Sequence, residues 1–160
     1  MSTLINNTEL REIALGRYVQ GKTTTITADT TYQLFTVAGG EVLVTGLYGK
    51  VTTAITDAGE DLALQVDPTS GATYAISGNS GDVGTTDTAA GNLLTGHYDQ
   101  DGTSNVPVLV VGADQPFRFV CPTGEFELVV GTGTGAEDGV IEWFLTYVPL
   151  TAGASVAASA

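Results

Sequence analysis

The sequence is poor in the residues that most catalytic and metal-binding chemistry uses. Its 160 residues include one cysteine, one histidine, one tryptophan and one methionine. The single cysteine, Cys121, excludes an intrachain disulfide and a cysteine-based zinc site. No apolar run approaches the roughly 20 residues of a membrane-spanning helix, and residues 1–7 lack the basic start and long apolar stretch of a signal peptide. We therefore expect synthesis in a cytosol and no membrane partner.

Positive charge is scarce as well. Five basic residues against 18 acidic ones give a net charge of −13. Nucleic acids and anionic lipids are bound through broad basic faces, so neither is expected as a partner. The charge is also uneven along the chain. Residues 1–22 hold three basic residues and two acids, a net of +1, whereas residues 23–160 hold two basic residues and 16 acids, a net of −14.

A helix is indicated only near the N-terminus. Asn7 or Thr8 can cap it, Leu10 and Ile13 share one face, and Gly16 can end it. A helix this short is not stable alone. We therefore interpret residues 1–20 as an N-terminal arm. The arm either orders on another protein or lies as a strap on the chain's own body, and the sequence favours neither.

The residues that are abundant point to β-structure. There are 21 glycines and 25 threonines, typical of short strands joined by turns. Several runs place apolar side chains at every second position, as strands with one buried face do. These runs are Leu62, Leu64 and Val66; Phe117, Phe119 and Cys121; Phe126, Leu128 and Val130; and Ile141, Trp143, Leu145 and Tyr147. Gly46 interrupts another apolar run, where a bulge or corner is expected.

The whole pattern predicts an all-β domain over residues 21–150. Roughly eight to ten turn-separated strands indicate a two-sheet antiparallel β-sandwich, jelly-roll-like, with the arm in front of it. Residues 77–105 are rich in turn formers and are expected to run over the surface, with short strands at best. Residues 151–160 form a small-residue C-terminal tail that we expect to be frayed.

Catalytic motifs find little support, and we expect no enzyme. His97 would have to be the base of any Ser-His-Asp arrangement, but no G-x-S-x-G elbow accompanies it, so a solvated loop histidine is expected. Cys121 shares a strand face with Phe119, which predicts a buried, inert thiol. Residues 131–136 fit a dinucleotide fingerprint in spacing, but a strand follows them instead of a helix, so a hairpin loop is expected.

One loop spaces oxygen ligands as calcium prefers them. Asp99, Asp101 and Asn105 are candidate ligands for Ca²⁺, which takes carboxylate and amide oxygens. Gly102 stands fourth in this loop, where an EF-hand has glycine sixth, and no glutamate closes it. The alternative is a turn stabilised by aspartate and asparagine side chains, and otherwise no cofactor is expected. A carbohydrate-binding module would pair this loop with a stacking tyrosine, for which the candidates are Tyr48, Tyr74 and Tyr98.

Two segments carry a resemblance to a known group of proteins. Glu41–Ile55 (EVLVTGLYGKVTTAI) is similar to a strand-turn-strand unit of small structural proteins of tailed bacteriophages, and Gly139–Leu150 (GVIEWFLTYVPL) is similar to their ending. The turn Asp67–Gly71 lies between them, as in that group. The chain resembles capsid decoration, or cement, proteins in particular. The shared positions are core and turn positions, so the resemblance carries over no functional residues.

The resemblance implies a non-enzymatic virion protein, made in the host cytoplasm, that binds the capsid exterior and stabilises it. Its partners would be the major capsid protein and further copies of itself, most often in a homotrimer. The acidic body would keep copies from associating wrongly, while the arm orders on the capsid. The arm residues expected to dock are Leu4, Ile5, Leu10, Arg11, Ile13, Leu15 and Arg17. A tail, fibre or head-spike component that recognises a host surface, and a carbohydrate-binding β-sandwich, remain alternatives.

Overall fold

The computed structural model describes residues 6–21, 24–56, 61–80, 83, 88–98, 107–111, 118–131 and 138–159. One helix and twelve strands lie within these ranges. They are α1 (Asn7–Leu15), β1 (Arg17–Gln20), β2 (Thr24–Ile26), β3 (Thr31–Ala38), β4 (Val42–Thr53), β5 (Leu62–Pro68), β6 (Tyr74–Ala75), β7 (Leu93–Tyr98), β8 (Pro107–Val111), β9 (Phe119–Cys121), β10 (Gly124–Val130), β11 (Asp138–Pro149) and β12 (Ser155–Ala158).

The strands form two antiparallel sheets. Sheet A has the order β1-β11-β4-β7-β8, with β2 also paired to β11 and β9 also paired to β4. Sheet B has the order β12-β3-β10-β5-β6. The chain changes sheet at most of its connections, for example from β3 to β4 to β5 and from β9 through β10 and β11 to β12. This confirms the predicted two-sheet β-sandwich with jelly-roll-like crossings.

The core lies between the sheets and is built from the alternating runs. Trp143 of sheet A and Phe35 and Phe126 of sheet B are the largest fully buried side chains. Phe126 lies between Phe35 and Phe119, with ring centroids 6.0 and 5.9 Å away. Burial of each such side chain contributes about 1.5–3 kcal/mol. The predicted inward positions of β5, β10 and β11 are all buried, so period-2 alternation located the core correctly.

The irregularity expected at Gly46 is a bulge inside one long strand. Thr146 of β11 pairs with Gly46, but the next residue, Tyr147, pairs with Val44, so Thr45 is the extra residue of β4. The Thr45 hydroxyl lies 3.0 Å from that of Thr146 and 3.4 Å from the carbonyl oxygen of Leu15. The strand continues through the bulge, and the bulged threonine holds the end of α1.

The prediction that residues 77–105 only cross the surface is wrong for their described part. Strand β7 lies inside sheet A between β4 and β8, and Leu94 is fully buried. Ser77 is buried too, and its hydroxyl accepts a 2.7 Å hydrogen bond from the Leu64 amide. Two flanking strands supply hydrogen bonds to the β7 backbone whatever its side chains are, so a central strand can form with little apolar content.

The prediction of a frayed C-terminal tail is also wrong. Strand β12 pairs with β3 from Ser155 opposite Ala38 to Ala158 opposite Phe35, and Ala154 and Val156 are buried. Backbone hydrogen bonds to the edge of β3 need no large side chains, and small residues allow close approach. Residues 151–158 therefore belong to the sandwich.

The arm at residues 1–20 combines both readings that the sequence left open. Strand β1 is a strap, because Arg17–Gln20 pair with Tyr147–Phe144 of β11 and Val19 packs against the core. Helix α1 projects from it with no buried residue. The boundary between the strap and the projecting helix is Gly16.

Candidate functional site

Helix α1 presents apolar side chains to solvent. Leu10, Ile13 and Leu15 are 57%, 71% and 62% exposed. Capping stabilises the helix instead of burial: Asn6 and Glu9 form a capping box with two hydrogen bonds of 2.9 Å. The cap is thus one residue before the expected Asn7. Because a nine-residue helix is marginal without tertiary packing, α1 has the character of an element that is completed by a partner.

The end of α1 is fixed at one point on sheet A. Gly16 has φ +84°, and a Cβ atom there would lie 2.6 Å from the Tyr147 carbonyl oxygen. Only glycine combines this conformation with so close an approach, which confirms the predicted helix end. The exposed ion pair between Arg17 and Glu12, at 3.8 Å, adds little stability.

Two grooves flank the helix. One, of about 510 Å³, lies between α1 and Tyr147–Pro149, with Ile13 on its wall. The other, of about 370 Å³, lies between α1 and the outer face of sheet A, where Leu15, Tyr18 and Thr146 line it. The second groove makes the helix and the sheet face one continuous surface.

The outer face of sheet A carries three aromatic side chains side by side, which we call the aromatic row: Tyr18, Phe144 and Tyr48. The Phe144 ring stacks on Tyr48 at 4.8 Å between centroids and 16° between planes, and on Tyr18 at 6.1 Å and 25°. Phe144 is half-buried, whereas both tyrosines are exposed. Burial, together with the nearby Tyr48 and Glu142, raises the pKa of Tyr18, so its hydroxyl stays protonated at neutral pH.

A second, aliphatic row crosses the same face, and we call it the apolar row: Val148, Leu43 and Val120. Val148 pairs with Leu43, and Leu43 pairs with Val120. Val148 and Val120 are exposed. The sequence held a signal for both rows, since Phe144 and Val148 are apolar at strand positions opposite the buried comb of Trp143 and its neighbours. Reading only the comb missed them.

Sheet B presents a different outer face, which is polar and internally satisfied. Glu127 is only 8% exposed and accepts a 2.7 Å hydrogen bond from Gln65. Glu125 accepts from the Thr36 hydroxyl at 3.0 Å, and Asp67 accepts from the Thr73 hydroxyl at 2.7 Å. Each carboxylate therefore already has a donor from the same sheet.

The positive charges follow the same division. The strands of sheet B contain no lysine or arginine in their sequences. In the described part of the chain, Arg11 lies on α1, Arg17 on β1, Lys50 on β4, and Arg118 immediately before β9. All four are exposed, and Arg17 forms the one ion pair between described residues. The cations thus border the apolar face of an otherwise acidic molecule.

The other predicted site residues are less informative. Leu4 and Ile5 lie outside the described residues, as do Asp99, Asp101 and Asn105, so the calcium prediction is untested. Among the residues that the structure describes, no group of three or more acidic, histidine or cysteine side chains could hold a metal. His97 lies on β7, and its side chain is outside the description, like that of Tyr98.

Cys121 is fully buried, as predicted. Burial raises the pKa of its thiol to about 12, which leaves it protonated and unreactive at neutral pH. Tyr48 and Tyr74, the described candidates for sugar stacking, are exposed and do not belong to the core.

The comparisons with known proteins identify no relative: no protein family, curated protein or solved structure matches this chain. Within the described ranges, helix α1 is too short to cross a membrane. Functional inference therefore depends on the residues and their arrangement.

Proposed function

We propose that this chain is a non-enzymatic structural protein of a phage virion that binds the outside of the capsid and stabilises it. The observation that carries the proposal is helix α1, which holds Leu10, Ile13 and Leu15 in solvent and is capped but not packed. Its partner would be the major capsid protein. The similarity of Glu41–Ile55 and Gly139–Leu150 to phage structural proteins supports the same class.

The division of charge also supports this function. A capsid binds many copies at high local density, and copies with net charge −13 repel one another away from their docking surface. Many equivalent sites on one shell add avidity to a modest single interface. A homotrimer on the capsid exterior would use both effects.

The test is cosedimentation with undecorated shells of the major capsid protein encoded in the same genome. We expect the full chain to sediment with shells and the deletion of residues 1–15 to lose at least about 10-fold in affinity. The deletion must stop before Arg17, because residues 17–20 form β1. Replacing Leu10 and Ile13 by serine should reproduce the loss without shortening the chain.

Tyr74→Ser provides the matched control, since Tyr74 is an exposed tyrosine on β6, away from the arm. It should bind like the wild type. Full binding by the deletion variant contradicts the role of α1, and no binding by the wild type contradicts the proposed function. A labelled copy located at tail tips by electron microscopy would favour the host-recognition alternative.

A further inference from the structure

We propose that the outer face of sheet A and helix α1 form one docking surface, and that its occupant is a protein surface with an apolar centre and carboxylates at its rim. The docking surface comprises α1, the aromatic row, the apolar row and Leu93. The inference rests on the proposed function in taking the occupant to be a protein. It adds the face that binds and the chemistry of the partner.

The continuity of the apolar side chains is the first step of the argument. Across sheet A, the pairing register places Phe144 beside Tyr48, and Val148 beside Leu43. Leu93, opposite Lys50 on β7, extends the face beyond Tyr48 and is exposed. The groove of about 370 Å³ joins this face to Leu15 on α1. Large contiguous apolar patches on a soluble protein mark interaction surfaces.

The stacking geometry favours a protein over a sugar as occupant. Phe144 lies on the strand between those of Tyr18 and Tyr48, so both faces of its ring are already covered. A pyranose ring needs a free aromatic face, whereas this row offers ring edges and tyrosine hydroxyls. Tyrosine, with an apolar body and one polar tip, is enriched at the energetic centres of protein interfaces.

The charges define the rim of the partner. Arg11, Lys50 and Arg118 are exposed around the docking surface and form no ion pair with a described residue. At physiological salt, charges farther apart than about 8 Å are largely screened. The acidic body therefore acts weakly at the contact, while these cations act directly. They fit carboxylates on the partner.

A second copy of the chain fits this surface less well. Sheet B offers carboxylates, but they are already hydrogen-bonded to Gln65, Thr36 and Thr73, and no apolar centre accompanies them. A face-to-face contact of two docking surfaces would bring like cations together between two chains of net charge −13. Self-association through this face is accordingly an outcome that contradicts the inference.

The experiment selects short random peptides from a display library on the immobilised full-length chain. We expect selected sequences to combine aromatic or aliphatic residues with flanking aspartate or glutamate. Tyr48→Ser should weaken their binding about 10- to 30-fold, and Tyr74→Ser, on a residue of similar exposure (36% against 40%), should leave it within about 2-fold. Lys50→Gln should weaken binding about 2- to 5-fold at low salt and have no effect at high salt.

The outcomes separate this inference from the proposed function. Basic or purely polar peptides, no enriched sequences, or equal losses from Tyr48→Ser and Tyr74→Ser overturn the inference. So does binding on a glycan array that Tyr48→Ser abolishes, or a dimer in sedimentation velocity that Tyr48→Ser dissociates. Shell binding that Tyr48→Ser leaves unchanged overturns the inference and leaves the proposed function intact. Acidic-apolar peptides with no shell binding support the surface and reject the capsid as its partner. Unchanged thermal unfolding of each variant confirms that it is folded.

Discussion

Phe144 on β11 and Tyr48 on β4 stack on the outer face of sheet A, with ring centroids 4.8 Å apart, directly behind the buried comb that holds Trp143. The same strand therefore uses both of its faces. One face builds the core, and the other builds a surface that water covers in the isolated chain. Apolar side chains outside the core are where function is most readily separated from folding.

The Tyr48–Phe144 stack should contribute a measurable coupling to stability. We expect a double-mutant cycle with Tyr48→Ala and Phe144→Ala to give a coupling of about 0.5–1.5 kcal/mol, the value of an aromatic pair beyond its area. Urea unfolding of the four proteins measures it. As a control, a cycle that pairs Tyr74→Ala with Phe144→Ala should be additive, since Tyr74 lies on sheet B. A coupling near zero for the first pair would mean that the rings do not interact in solution.

Gly49 should tolerate no side chain. It lies opposite Trp143 in the register, and a Cβ atom there would approach Ile141 Cγ2 at 2.8 Å and the indole ring at 3.1 Å. We expect Gly49→Ala to cost about 1–3 kcal/mol of unfolding free energy by overpacking. Gly46→Ala on the same strand meets only the Thr146 hydroxyl, which can rotate away, and should cost less than about 1 kcal/mol. Equal costs in chemical denaturation would show that the Trp143 pocket can expand.

The C-terminal strand should be a structural element of the sandwich. Val156 of β12 is buried, whereas the adjacent Ala157 is exposed. We expect Val156→Ser to lower the free energy of unfolding by about 1.5–3 kcal/mol. Ala157→Ser, which introduces the same side chain on the solvent side, should change it by less than about 0.5 kcal/mol. A deletion of residues 155–160 that unfolds at the wild-type temperature would contradict this role for β12.

Stability should fall in mildly alkaline solution because of Cys121. Its thiol ionises near pH 8.5 in the unfolded chain but has a pKa of about 12 in the fold. Between these values the folded state keeps a proton that the unfolded state releases, so the free energy of unfolding decreases as pH rises, by about 1.4 kcal/mol per unit. Urea titrations from pH 8 to 10 should show this slope in the wild type, and Cys121→Ala should lack it. Below pH 8 the two proteins should show the same pH dependence.

The fold class could be predicted from the sequence because alternation is a local property. Residues such as Leu62, Leu64 and Val66 show their buried face without any knowledge of their neighbours. The end of α1 at Gly16 was equally local. Two strands could not be predicted in this way. Strands β7 and β12 have few apolar residues and form because β4 and β3 offer them backbone hydrogen bonds.

The candidate site could be predicted only in part. Leu10, Ile13 and Leu15 were expected to dock because they form an apolar stripe on an isolated helix, and the structure leaves them exposed. The aromatic row was missed, since Tyr18 and Phe144 are distant in sequence and meet only through the pairing of β1 with β11. The calcium loop at Asp99, Asp101 and Asn105 stays a prediction.

The sequence alone determined that this chain is a strongly acidic β-sandwich with an apolar stripe on one short helix, because charge and period-2 alternation are written residue by residue. Only the tertiary structure decided which outer face is apolar and where the few cations lie. Strand register is a long-range choice, and it brings Tyr18, Phe144 and Tyr48 from three separate segments onto one surface.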